Sequence, residues 1–131
     1  MRNTVNKTKT MSIFAVLIIS VIALSGCGNR INASYRCEKS DHSYWLDFNS
    51  DGSCLFWNQG VLEGKYKWDK NQECYLLTIK SKDDSSEILL SAFPADDYII
   101  VSGDVFNEDV FYVPSQVELN QHNTSRSILG V

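Results

Sequence analysis

From residue 33 to residue 113 the chain is a succession of short runs in which apolar and polar residues alternate, each closed by a polar turn cluster. Alternation with a period of two puts successive side chains on opposite faces of an extended strand. The runs occupy 33–38, 43–48, 53–57, 61–68, 74–80, 87–93, 98–102 and 105–113, and the breaks between them read KSDH, NSDG, NQG, DKNQE, SKDDSS, PADD and GD. No stretch carries helical periodicity over a useful length. A parallel crossover needs about a dozen residues, and these connections are shorter, so neighbouring strands pair antiparallel. The pattern predicts an all-β domain, an up-and-down antiparallel meander of about eight strands closed into a barrel, with a β-sandwich as the alternative.

One break also has the opening of a calcium loop. Asp47-Phe48-Asn49-Ser50-Asp51-Gly52 fits D-x-N-x-D-G. An EF-hand loop ends in a bidentate glutamate at its twelfth position, which here is Asn58. A hairpin explains more. Asn49-Ser50-Asp51-Gly52 suits a type I turn with Gly52 left-handed, giving a three-residue loop and a G1 bulge. That register sets Phe48 opposite Cys54, Leu46 opposite Phe56 and Trp45 opposite Trp57. One face then collects Tyr44, Leu46, Phe48, Cys54 and Phe56 as a core stripe, which continues in Leu62, Gly64, Tyr66 and Trp68 and in Tyr75, Leu77 and Ile79.

Three further expectations concern the later runs. Residues 88–90 and 98–101 are apolar on both faces, which calls for a covering layer or the C-terminal tail. In the last run Asn107 and Asp109 alternate with Phe106, Val110 and Tyr112 and are expected to face outward. Beyond Pro114 the segment is polar and reads as a mobile tail, with Val117, Leu119, Ile128 and Leu129 as the residues able to dock.

The start of the chain has a different character. Arg2, Lys7 and Lys9 precede the uncharged apolar residues 11–26, the layout of a secretory signal. The run is shorter than the roughly 20 residues of a membrane span. Leu24-Ser25-Gly26-Cys27 resembles the lipobox of bacterial lipoproteins. The resemblance implies cleavage before Cys27 and lipidation of its thiol, anchoring the chain to the extracytoplasmic face of a bacterial membrane. Each buried CH₂ contributes about 0.8 kcal/mol, so two acyl chains hold stably where one does not. The expected organisation is a signal peptide at 1–26, lipidated cysteine and tether at 27–33, barrel domain at 34–113 and tail at 114–131.

Charge narrows the partners. Arg2, Lys7 and Lys9 lie in the leader, leaving nine Lys and Arg against sixteen Asp and Glu in the mature chain. That balance argues against nucleic acid, which asks for clustered cations. Cys37, Cys54 and Cys74 have no C-x-x-C spacing. In a meander Cys54 and Cys74 stand two strands apart, about 9.6 Å, beyond the roughly 7 Å reach of a disulfide. Cys37 falls at the other end, so buried thiols are expected. Neither a metal set nor a cofactor site stands out, and the two histidines, His42 in a turn and His122 in the tail, form no triad. No catalytic residue is assigned.

The combination of Phe48-Asn49-Ser50-Asp51-Gly52 with Gly64-Lys65-Tyr66 resembles the F-x-x-D-G and G-x-Y punctuation of small bacterial lipoproteins with a lipocalin-like β-barrel. The likeness covers about the first half of the barrel domain and implies a fold more than a function. Two non-catalytic readings follow. A small hydrophobic ligand inside the barrel would be lined by Tyr44, Phe56, Tyr66 and Trp68. Alternatively an outward patch of Trp45, Leu55 and Trp57 would meet an envelope protein, if the tail does not pack there.

Overall fold

The computed structural model describes residues 30–83 and 85–131, so the expected signal segment and the expected lipidation site, Cys27, lie outside the described residues. Eight strands follow one another: β1 (Ala33–Lys39), β2 (His42–Phe48), β3 (Ser53–Trp57), β4 (Val61–Asp69), β5 (Cys74–Lys80), β6 (Glu87–Pro94), β7 (Tyr98–Gly103) and β8 (Asp109–Tyr112). Each pairs antiparallel with its neighbours in sequence, and β8 returns to β1. The meander is therefore a closed barrel, not a sandwich. Among the described residues a single helix, α1 (Gln116–Leu129), follows.

The first hairpin has the expected register. Phe48 faces Cys54, Leu46 faces Phe56 and Trp45 faces Trp57. Asn49 N–H donates to the Ser53 carbonyl at 2.9 Å, Gly52 N–H donates to Asn49 at 3.1 Å, and Gly52 sits at φ 93°, where a Cβ is disfavoured. Alternation then fills the interior with Leu46, Phe48, Cys54, Phe56, Tyr66, Tyr75, Leu77, Ile79, Leu90, Ala92, Ile99, Val101 and Phe111, all buried. Gly64 has a packing reason: an added Cβ would lie 2.4 Å from the Thr78 carbonyl oxygen of the adjoining strand.

The last strand departs from expectation. Only Asp109–Tyr112 is strand, because Gly103 (φ 147°), at the end of β7, and Glu108 (φ 54°) bend residues 104–108 into a loop. The loop changes the phase of the alternation. Phe111 is fully buried and Val110 is half exposed, while Phe106 folds in from the loop against Tyr44, Phe56 and Phe111. Asp109 pairs with the interior residue Val101, so it faces inward at the rim rather than outward, where Lys39 Nζ donates to it at 2.9 Å.

The segment after Pro114 is also not a loose tail. Ser115 caps α1 through a capping box, its side chain accepting from Glu118 N–H while the Glu118 carboxylate accepts from Ser115 N–H. Gly130, at φ 74°, ends the helix in the left-handed conformation. The helix lies on the outer face of β1–β3. It leaves Leu89, Phe93, Tyr98 and Val110 exposed on the outer face of β6–β8, so the tail does not cover the doubly apolar strands. Its own Val117 and Ile128 point to solvent. Among the described residues no helix is long and apolar enough to cross a membrane.

Candidate functional site

The helix reaches the barrel through polar side chains. Glu118, His122 and Arg126 recur every four residues, which lines them up on one face of α1. Arg36, on the outer face of β1, donates through Nη1 to Glu118 and, at 2.8 Å, to the Tyr112 hydroxyl. One turn further along, His122 meets Asp47. Arg126 follows, with Nη2 3.4 Å from Asn49 Oδ1.

Asp47 is on the outer face of β2 and has no exposed surface. An unpaired carboxylate there would be strongly unfavourable, and this one is well supplied with donors. His122 Nε2 lies 2.9 and 2.8 Å from its two oxygens. Trp57 Nε1 donates at 2.6 Å and Ser34 Oγ at 2.6 Å, with Arg126 Nη1 3.9 Å away. Two aromatic contacts complete the clasp: the His122 ring stacks on Trp45 at 3.8 Å and stands edge-on to Trp57 at 4.8 Å. Burial, reinforced by the negative charge of Asp47, pushes the Cys54 thiol on the opposite side of the hairpin up to about 12.

This cluster holds a serine, a histidine and an aspartate, yet its geometry is not that of a nucleophile with its base. Ser34 and His122 both donate to the same carboxylate, so the hydroxyl is bonded to the acid and not to the imidazole. His122 is buried beneath its own helix. The arrangement is an attachment point.

Beside the clasp lies an open groove of about 700 Å³. One wall is α1, with Glu118, Gln121, Ser125 and Leu129. The other is the end of the β2–β3 hairpin, with Ser43, Trp45, Trp57 and Gln59. Trp45 and Trp57 are thus brought together as expected, but half-buried against the helix and not as a bare patch. Leu55 is separated from them: it is buried, and lines a hollow of about 240 Å³ at the C-terminal end of α1.

The four interior residues fall into two groups inside the barrel, Tyr44 with Phe56, and Tyr66 and Trp68 around Tyr75. Tyr44 stacks on Phe56 with ring centroids 6.1 Å apart, and Tyr66 and Trp68 each pack edge-on to Tyr75, at 5.6 and 4.8 Å. The Tyr66 hydroxyl accepts from Ile31 N–H at 2.8 Å and donates to the Asn49 carbonyl at 2.6 Å, closing one end of the barrel. Cys37, Cys54 and Cys74 are buried free thiols.

Asp47, His122, Arg36, Glu118, Arg126 and Gln121 were not singled out by sequence reasoning as members of a site. The detectable signal was Ser115-Gln116-Val117-Glu118, the S-x-x-E signature of a capped helix, with Gly130 as its stop. Compared with protein-family models, curated proteins and solved structures, the chain matches none.

Proposed function

We propose that this protein is a lipoprotein anchored at the extracytoplasmic face of a bacterial membrane, and that it binds a partner without catalysis through the groove between α1 and the β2–β3 hairpin. The anchor rests on the resemblance of Leu24-Ser25-Gly26-Cys27 to a lipobox. The observation that carries the binding site is the groove itself. Its volume of about 700 Å³ falls within the roughly 300–1,000 Å³ typical of ligand sites, and it gathers two tryptophans with polar side chains. The interior lends less support to a hydrophobic ligand held there, since Tyr44, Phe56, Tyr66 and Trp68 pack within a network of neighbouring rings. The non-catalytic reading is supported by Asp47 and His122 being spent on helix attachment.

Photo-crosslinking tests the site in the intact lipoprotein. With p-benzoylphenylalanine in place of Gln121, an adduct is expected on irradiation in membranes. The same group in place of Lys67, on the outer face of β4, is expected to give none. Equal labelling at both positions would count against the groove.

A further inference from the structure

We propose that the groove takes a neutral saccharide chain, an assignment that rests on the groove being the recognition site. Three properties of its walls point to that chemistry. First, Trp45 and Trp57 both line the groove, Trp45 with one face already stacked on His122, and a sugar ring carries C–H faces that pack on the remaining indole surface while its hydroxyls stay at the rim.

Second, the free polar groups suit hydroxyls. Among the described residues the Gln121 amide and the Trp45 indole N–H have no side-chain hydrogen-bond partner, and both residues line the groove. A carboxamide offers both donors and an acceptor, and a hydroxyl answers both. An entirely apolar ligand would take these groups from water and leave them unpaired. A prolyl peptide offers carbonyl acceptors but no backbone N–H, so the Gln121 carbonyl would go unmatched.

Third, the groove is electrically balanced. Its liners Arg36 and Glu118 are paired with each other, and Arg36 also binds Glu38, Ser43 and Tyr112, while the His122 ring is engaged with Asp47. Among the lining residues an anionic ligand would find no unpaired arginine or lysine, on a chain whose formal net charge is −4; Lys82 stands at the rim beside Gly60 but does not line the groove. A cation would find no spare carboxylate in the walls. The helical wall from Glu118 to Leu129 extends about 16 Å at 1.5 Å per residue, long enough for several sugar rings in a row.

The test is a titration of the intact lipoprotein in phosphatidylcholine nanodiscs, followed by the nitrogen-15 indole signals of its three tryptophans. Cellohexaose, chitohexaose and maltohexaose are the saccharide probes; decaproline and the dye 1-anilinonaphthalene-8-sulfonate are the alternatives. At least one hexasaccharide is expected to shift the Trp45 signal saturably while Trp68, inside the barrel, stays still. Gln121→Ala, an exposed change to a good helix former, is expected to weaken that binding by about fivefold, the loss of one hydrogen bond. Unchanged affinity in Gln121→Ala would overturn the assignment. A Trp45 shift with decaproline or the dye, and with no saccharide, would overturn the saccharide class while leaving the groove as the site. No shift with any probe would overturn the assignment, and with no crosslink at position 121 would end the groove reading as well.

Discussion

Asp47 is the residue on which the outer architecture turns. It stands at an outward position of a barrel strand, yet it is completely buried because α1 covers it, and its charge is matched by His122, Trp57 and Ser34. Truncating one member of such a group leaves buried partners uncompensated, at a cost of about 3–5 kcal/mol. Asp47→Ala is therefore expected to lower unfolding stability by that amount in urea denaturation and to reduce the helical signal in circular dichroism. In a double-mutant cycle with His122→Ala the two positions should show a coupling of about 0.5–3 kcal/mol. The neighbouring thiol provides a second test. Cys54, driven up to about 12 by burial and then by Asp47, is expected to resist alkylation at pH 8 in the folded protein and to react on unfolding. Burial also raises Tyr35, Tyr66 and Tyr75. In every case the unfolded chain loses its proton first, so stability should fall as pH climbs from about 9 towards 12.

The element whose behaviour depends most on local chemistry is α1. An amphipathic helix normally docks through an apolar stripe, but here the docking face is Glu118, His122 and Arg126, and the large apolar residues Val117, Ile128 and Leu129 are exposed. Its stability thus leans on its caps and on the clasp. Ser115→Ala is expected to cost about 1 kcal/mol through loss of the cap, read as an earlier loss of helix on heating. Glu118 is held below the usual carboxylate range by the Ser115 N–H, despite opposing desolvation, with Ser115 Oγ and Arg36 adding to it. A depressed carboxyl stabilises above its unfolded pKa and ceases to do so as pH falls through its folded one. Acidification from pH 5 downwards should therefore loosen the start of α1, and Glu118→Gln should remove that part of the pH dependence.

At the scale of the whole molecule the weak place is the seam. β1 and β8 close the barrel through a single paired position, Arg36 with Tyr112, whereas the other neighbours share four or more. Side chains supplement that short ladder from both faces. Outside, Arg36 ties β1 to Tyr112 on β8 and to Glu118 on α1. Inside, at the rim, Lys39 pairs with Asp109. Arg36→Ala is expected to speed hydrogen exchange of the β8 amides while leaving β4 and β5 protected. Equal protection of β8 in the variant would show that backbone pairing alone closes the barrel.

Strand positions, hairpin register and the inward stripe were legible because each follows from neighbours in sequence. Period-two alternation sets the face of Tyr44, Leu46 and Phe48, and Asn49–Gly52 sets the register that brings Trp45 opposite Trp57. The bend at Gly103 and Glu108 was harder to read: a loop that shifts the phase by one residue reverses every later face, which moved Phe111 inward with Asp109. What lay beyond local pattern was the partnership of Asp47 with His122, 75 residues apart, because neither residue is apolar and a buried polar contact has no periodicity. Alternation alone sorted the barrel into an inside and an outside. Only the packing of α1 against β1–β3 decided which part of that outside became buried, and so where the groove lies.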